Sequence, residues 1–210
     1  MGKTRLFQTF ATAAIGLTAT VTPALAHHAM GGGLPATFTE GLLSGFGHPI
    51  IGLDHLAFVV GVGLLALLLG HRYTLPLAFI VATVAGVLVH LASINLPAVE
   101  TIIALSVVLI GVLAISGKTL PTMALAALFA VAGLFHGFAY GESIFGAETT
   151  PLLAYLLGFG VIQYAIAVGV GYAVQGVADL TDKAMTNIRI AGGLVAGVGL
   201  VFTAENLMPF

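Results

Sequence analysis

His48-Pro49-Ile50-Ile51-Gly52-Leu53-Asp54-His55 runs without a break into the apolar residues 56–70, and the reading of this stretch decides the fold. A spanning helix needs about 20 predominantly apolar residues, so residues 48–70 read as one transmembrane span. Two histidines and an aspartate nevertheless sit at its start. On insertion scales a charged side chain at the bilayer centre costs on the order of 2.5–3.5 kcal/mol. Such residues persist where they pair, line a cavity or have a function.

Working outward, five further apolar segments are long enough to span: residues 74–94, 97–116, 119–139, 150–175 and 187–206. His71-Arg72, Asn95-Leu96-Pro97, Gly117-Lys118, residues 142–150 and residues 179–183 interrupt them. Breaks this short join antiparallel neighbours, so the expected fold is an all-α membrane protein, one bundle of about six transmembrane helices. The composition agrees. Of 210 residues, 59% are apolar and 7% are charged, with 6 basic and 8 acidic side chains. A soluble domain is roughly 25% charged. A soluble enzyme is excluded on this ground, as is a nucleic-acid binder, which needs a basic face. The chain has no cysteine, so it has no disulfide, no thiolate nucleophile and no thiolate metal site.

Lys3 and Arg5 precede a small, apolar segment that ends in Ala24-Leu25-Ala26, an A-x-A cleavage signature. Residues 1–26 therefore read as a signal peptide and residues 27–210 as one six-span transmembrane domain, beginning His27-His28. An uncleaved anchor would leave the same topology. With the mature N-terminus outside, Arg72, Lys118, Lys183 and Arg189 all fall on the cytoplasmic side, as the positive-inside rule demands. Glu142, Glu148 and Glu205 fall outside. The expected location is the cell membrane, the bacterial inner membrane, with the lipid bilayer as partner. Small-xxx-small pairs at Gly41/Gly45, Gly133/Gly137/Gly141 and Gly193/Gly197 mark candidate helix contacts. The sequence leaves the oligomeric state open, a homo-oligomer included.

Two features mislead. Gly111 to Thr119 resembles a phosphate-binding loop, but five residues separate its glycines where the motif has four. It also ends a membrane segment with no strand before it. His71 stands beside Arg72 at a segment end and reads as interfacial.

The remaining ionisable residues within or beside the spans are His90, Glu100, His136 and Glu142. Each also has a structural reading. His90 suits an interface, and Glu100 at a helix start favours the helix dipole. His48 and His55 share a helix face but lie roughly 10 Å apart along a straight helix. That is too far for one metal at about 2 Å from each nitrogen. Pro49 would then open the helix with His48 at the cap, and a curl at Gly45-Phe46-Gly47 would turn His48 inward. Imidazole and carboxylate without thiolate suit nickel(II), cobalt(II), zinc or manganese better than copper(I). If the His and acid positions converge, they form an outward-facing cation site. A proton relay would use the same residue types.

The HPxxGxDH pattern of residues 48–55 resembles the signature of the HupE/UreJ family of hydrogenase and urease accessory proteins. Pro97-Ala98-Val99-Glu100 looks like the family's PxxE segment, and residues 135–142 like its FHGxAxG segment. Residues 153–158 resemble the start of the family's fifth span. This sequence has Tyr140 where many members carry a second histidine. The resemblance implies a small permease of about six spans for nickel(II) or cobalt(II), with His48, Asp54, His55 and His136 as functional positions. The ion is the transported substrate and no prosthetic group is expected. A non-transporting membrane accessory protein that hands metal to a partner is the other reading. His27 and His28, with the free α-amine, would offer a nitrogen-rich external chelate.

Overall fold

The computed structural model describes residues 33–118, 120–181 and 184–208. The expected signal peptide, His27, His28 and Lys183 lie outside the described residues. Within them the chain forms helices and no strand: α1 (Phe38–Ile51), α2 (Leu53–Leu68), α3 (Leu75–Leu91), α4 (Val99–Ser116), α5 (Thr122–Glu142), α6 (Thr149–Thr181) and α7 (Ala184–Leu207).

The first expected span is not a single straight helix. A helix already begins at Phe38, set by a capping box in which Thr37 Oγ1 accepts from the Glu40 N–H at 3.2 Å. The Glu40 carboxylate accepts in return from the Ala36 and Thr37 N–H groups, at 2.7 and 3.3 Å. The helix runs on through Gly45-Phe46-Gly47, which does not curl, and through His48 and Pro49, which therefore do not form a helix start. It breaks at Gly52, whose backbone is extended (φ −73°, ψ 102°), and α2 leaves at a bend of 81°. Pro49 has no N–H to donate to the turn before it, and glycine gains least from helical order. Gly52 serves both helices: its N–H donates to His48 O at 3.1 Å and its carbonyl accepts from Leu56 N–H at 2.8 Å.

Helices α4, α5, α6 (over Thr149–Gly176) and α7 are long and apolar enough to cross a membrane. The bent pair α1 and α2 passes the same test taken together. The expected second span is a shorter apolar helix, α3, of 17 residues. At 1.5 Å per residue it is about 25 Å long, less than a hydrocarbon core of about 30 Å.

Helix α2 is the hub. It packs against α1, α3, α4, α6 and α7, and Phe58, Val59, Val62, Leu64 and Ala66 on it are fully buried. Around it the other helices pair: α3 with α5, α4 with α7, α1 with α6. Small residues let these pairs approach to backbone contact. A Cβ at Gly137 would stand 2.0 Å from the Thr83 carbonyl oxygen, and one at Gly86 2.1 Å from that of Leu134. Gly41 and Gly45 meet the Pro151 and Tyr155 carbonyls of α6 in the same way. Gly193 and Gly197 do not: they face open space, and Gly192 and Gly199 pack against α4 instead. Adjacent helix positions differ by 100°, so a glycine pair one position out of register points away from the contact.

The described basic residues, Arg72, Lys118 and Arg189, gather at one end. Arg72 lies over the ring of Tyr172, late in α6, at 5.2 Å, whereas Tyr155 near the start of α6 reaches His48. Gly117, next to Lys118, abuts Arg189. Tyr73 and Tyr172 join their hydroxyls there, and that bond raises the Tyr73 pKa above the ordinary tyrosine value.

Candidate metal centre

The break at Gly52 changes the geometry of the His48–His55 pair. Along a straight helix the two would stand roughly 10 Å apart. Across the bend their ring centroids are 6.1 Å apart, edge to face. Both rings, with Asp54 and His136, are withdrawn from the surface: exposures are 2% for His48 and Asp54, 1% for His55 and 0% for His136.

Each group is held by a different element. His48, near the end of α1, places Nδ1 2.9 Å from both Ser143 Oγ and Tyr155 Oη. Both hydroxyls also lie within hydrogen-bond reach of the Tyr140 carbonyl, at 3.1 and 3.0 Å. Nδ1 is thus occupied by these two hydroxyls. Asp54, in the first turn of α2, accepts the His55 N–H on Oδ1 at 2.8 Å, a placement the positive helix N-terminus favours. His55 Nδ1 shares a hydrogen bond of 2.8 Å with His136 Nδ1. His136 Nε2 lies 3.0 Å from Ser106 Oγ of α4. Behind it, Phe58 and Phe79 close the site at centroid distances of 4.4 and 5.9 Å.

Tyr140 lies against both front rings, with its centroid 4.3 Å from that of His55 and 4.9 Å from that of His48. Its hydroxyl is buried with no hydrogen-bond partner among the described residues. A buried hydroxyl without a partner costs about 1–3 kcal/mol.

The other expected positions stand apart. His90 flanks Gly141 on α5 and packs against Phe138 and Phe145 at 4.6 and 5.7 Å. It lines a separate surface pocket of about 290 Å³ with Ser93, Ile94 and Asn95. Glu100 is exposed in the first turn of α4 and Glu142 is exposed at the end of α5. Among the described residues no group of three or more His, Asp or Glu side chains stands close enough together to hold a metal ion. The cluster is closed by its own hydrogen bonds, with a proton between His55 and His136. Ser106, Ser143 and Tyr155 were not singled out by the sequence, since a lone hydroxyl in an apolar span has no distinguishing pattern.

Gly52 has a second role beyond the break. A Cβ on it would lie 2.8 Å from His55 Cδ2 and 3.4 Å from Asp54 Oδ1. Gly52→Ala is expected to push the His55 ring off His136, lowering metal affinity by at least tenfold while the protein still accumulates in the membrane. Cobalt titration of purified Gly52→Ala checks this; wild-type affinity would refute it.

A family model described as HupE / UreJ protein matches residues 15–202 of this chain. Protein HupE of Rhizobium leguminosarum bv. viciae is 33% identical over 186 residues, covering 87% of this chain and 92% of that protein. No solved structure matches.

Proposed function

The chain belongs to the HupE / UreJ family, and from that membership we propose that it is a permease carrying nickel(II) or cobalt(II) inward across the cell membrane. The family is one of hydrogenase and urease accessory proteins associated with nickel and cobalt handling. The observation that carries the reading is the approach of the buried His48 and His55 rings to 6.1 Å across a bend between two half-helices, with Asp54 buried beside His55. Broken helices are a recurring way for membrane proteins to build ion sites, because the bend exposes helix ends to a cavity. Imidazole with carboxylate suits first-row divalent ions. Binding would start by occupying the face of His55 toward His48.

The proposal includes a mature N-terminus outside the cell after cleavage behind Ala26, six crossings with α1 and α2 as one bent crossing, and the basic end of the bundle in the cytoplasm. The clustering of Arg72, Lys118 and Arg189 away from His48 supports that orientation. His27 and His28 would then capture metal outside. A tag fused after Phe210 is expected to be accessible from outside intact, wall-stripped cells, and tags beside Arg72 and Lys118 inaccessible. The reverse pattern would invert the orientation.

Proteoliposomes containing the protein alone test the transport itself. They should accumulate labelled nickel or cobalt, with zinc and manganese as competitors to rank the site's preference. Binding without accumulation would favour the accessory reading, in which the protein hands metal to a partner.

A further inference from the structure

The hydrogen bonds behind His55 can be followed proton by proton. Ser106 Oγ lies 2.7 Å from the carbonyl oxygen of Ile103, one turn earlier in α4. A carbonyl only accepts, so the one hydroxyl proton of Ser106 is directed there. Ser106 Oγ must then accept from His136, which places the His136 proton on Nε2, 3.0 Å away. Buried between Phe58 and Phe79, His136 sits where an unpaired charge is costly. The neutral ring with its proton on Nε2 has a lone pair on Nδ1, and that lone pair faces His55 Nδ1 at 2.8 Å. The shared proton therefore belongs to His55 Nδ1. In neutral His55 the lone pair is then on Nε2.

We propose that Ser106, acting through His136, is a positioning residue that sets the tautomer and orientation of His55, so that Nε2 is the nitrogen that meets the metal. His136 is on this account the orienter of a ligand, since both of its ring nitrogens are committed. The arrangement follows the general logic of metal sites, in which a ligating imidazole donates its other N–H to a fixed acceptor. Here the acceptor is a second imidazole, held by a serine whose own proton is anchored on backbone. Ser106 is 8% exposed and lies on a helix that contributes no side chain to the His48–Asp54–His55 cluster. The inference rests on the reading of that cluster as the metal centre.

Without the Ser106 hydroxyl, His136 has no fixed acceptor for Nε2–H and takes either tautomer. When its proton moves to Nδ1, the His55 proton is driven to Nε2, where it must be displaced before a metal binds. The loss appears in affinity, and the number of nitrogen donors on the metal stays the same.

The test is titration of the purified full-length protein in lipid nanodiscs with cobalt(II), read by ligand-field absorption. Ser106→Ala should weaken cobalt binding roughly 10–100-fold, the range for loss of an orienting partner, with the absorption bands at wild-type positions. Ser106→Thr keeps the hydroxyl and should restore binding. Ser106→Ala should add little in a His136→Ala background, because the two act in one chain. Wild-type affinity in Ser106→Ala, or a band shift in His136→Ala that reports loss of a nitrogen donor, would overturn the relay and leave the metal centre standing. Wild-type protein that holds no cobalt would overturn the metal centre and the relay with it.

Discussion

His55→Ala abolishes nickel and cobalt accumulation in proteoliposomes while the protein still inserts and purifies as a folded species: this is the largest effect the structure leads us to expect. His55 is where the elements of the site meet. Its backbone N–H is held by Asp54, its Nδ1 by His136, and its ring lies against Tyr140 and 6.1 Å from that of His48. Truncation removes the proposed metal donor and also strands the His136 nitrogen in an apolar wall. The stranded group costs about 1–3 kcal/mol of stability, so folded protein must be measured beside transport. His48→Ala and Asp54→Ala should act in the same direction, each removing a donor from the same buried cluster. His71→Ala is the control, exposed between α2 and α3 and remote from the cluster, and should transport normally. Normal uptake by all three cluster variants would move the site elsewhere.

The second large effect is on folding. Gly137→Ala would set a methyl 2.0 Å from the Thr83 carbonyl oxygen, and Gly86→Ala one 2.1 Å from that of Leu134. Neither obstacle is a flexible side chain, so α3 and α5 must separate along their contact. Overpacking of this kind costs about 1–3 kcal/mol and occasionally more. Two such substitutions on one interface should unfold the protein in detergent at temperatures where wild type survives. Gly193→Ala and Gly197→Ala meet open space, and a helix gains up to about 1 kcal/mol on replacing glycine by alanine. Their melting temperatures should equal or exceed that of wild type. Equal melting of all four single variants would mean that α3 and α5 do not approach as closely as their backbones indicate.

The contrast between the two glycine pairs shows how far a pattern carries. Gly133/Gly137/Gly141 and Gly41/Gly45 are helix contacts, as their spacing indicates, while Gly193/Gly197 is not. Spacing reports that two residues share a face. It does not report which face meets a neighbour, and in a bilayer no polarity contrast distinguishes a packed apolar face from one against lipid. His90 is missing from the cluster for a related reason: the same register that seats Gly141 on α3 turns the His90 ring into a separate pocket with Phe138 and Phe145.

Hydropathy alone was enough for the membrane class, the helical architecture and the approximate segments, because a backbone in hydrocarbon must satisfy its own hydrogen bonds. The cost of burying His48, Asp54, His55 and His136 was enough to mark them as the residues to explain. Three things were decided only by tertiary structure. The 81° bend at Gly52 brings His48 back toward His55, an event that one extended apolar run conceals. The packing of α4, α5 and α6 around the bend supplies Ser106, Ser143 and Tyr155, whose hydroxyls hydrogen-bond the buried imidazoles of His136 and His48. The same packing separates His90 and the exposed Glu100 and Glu142 from the buried cluster. Burial cost is a property of each residue and is visible along the chain; hydrogen-bond partnership is a property of pairs up to 107 positions apart, and only the folded backbone brings them within 3 Å.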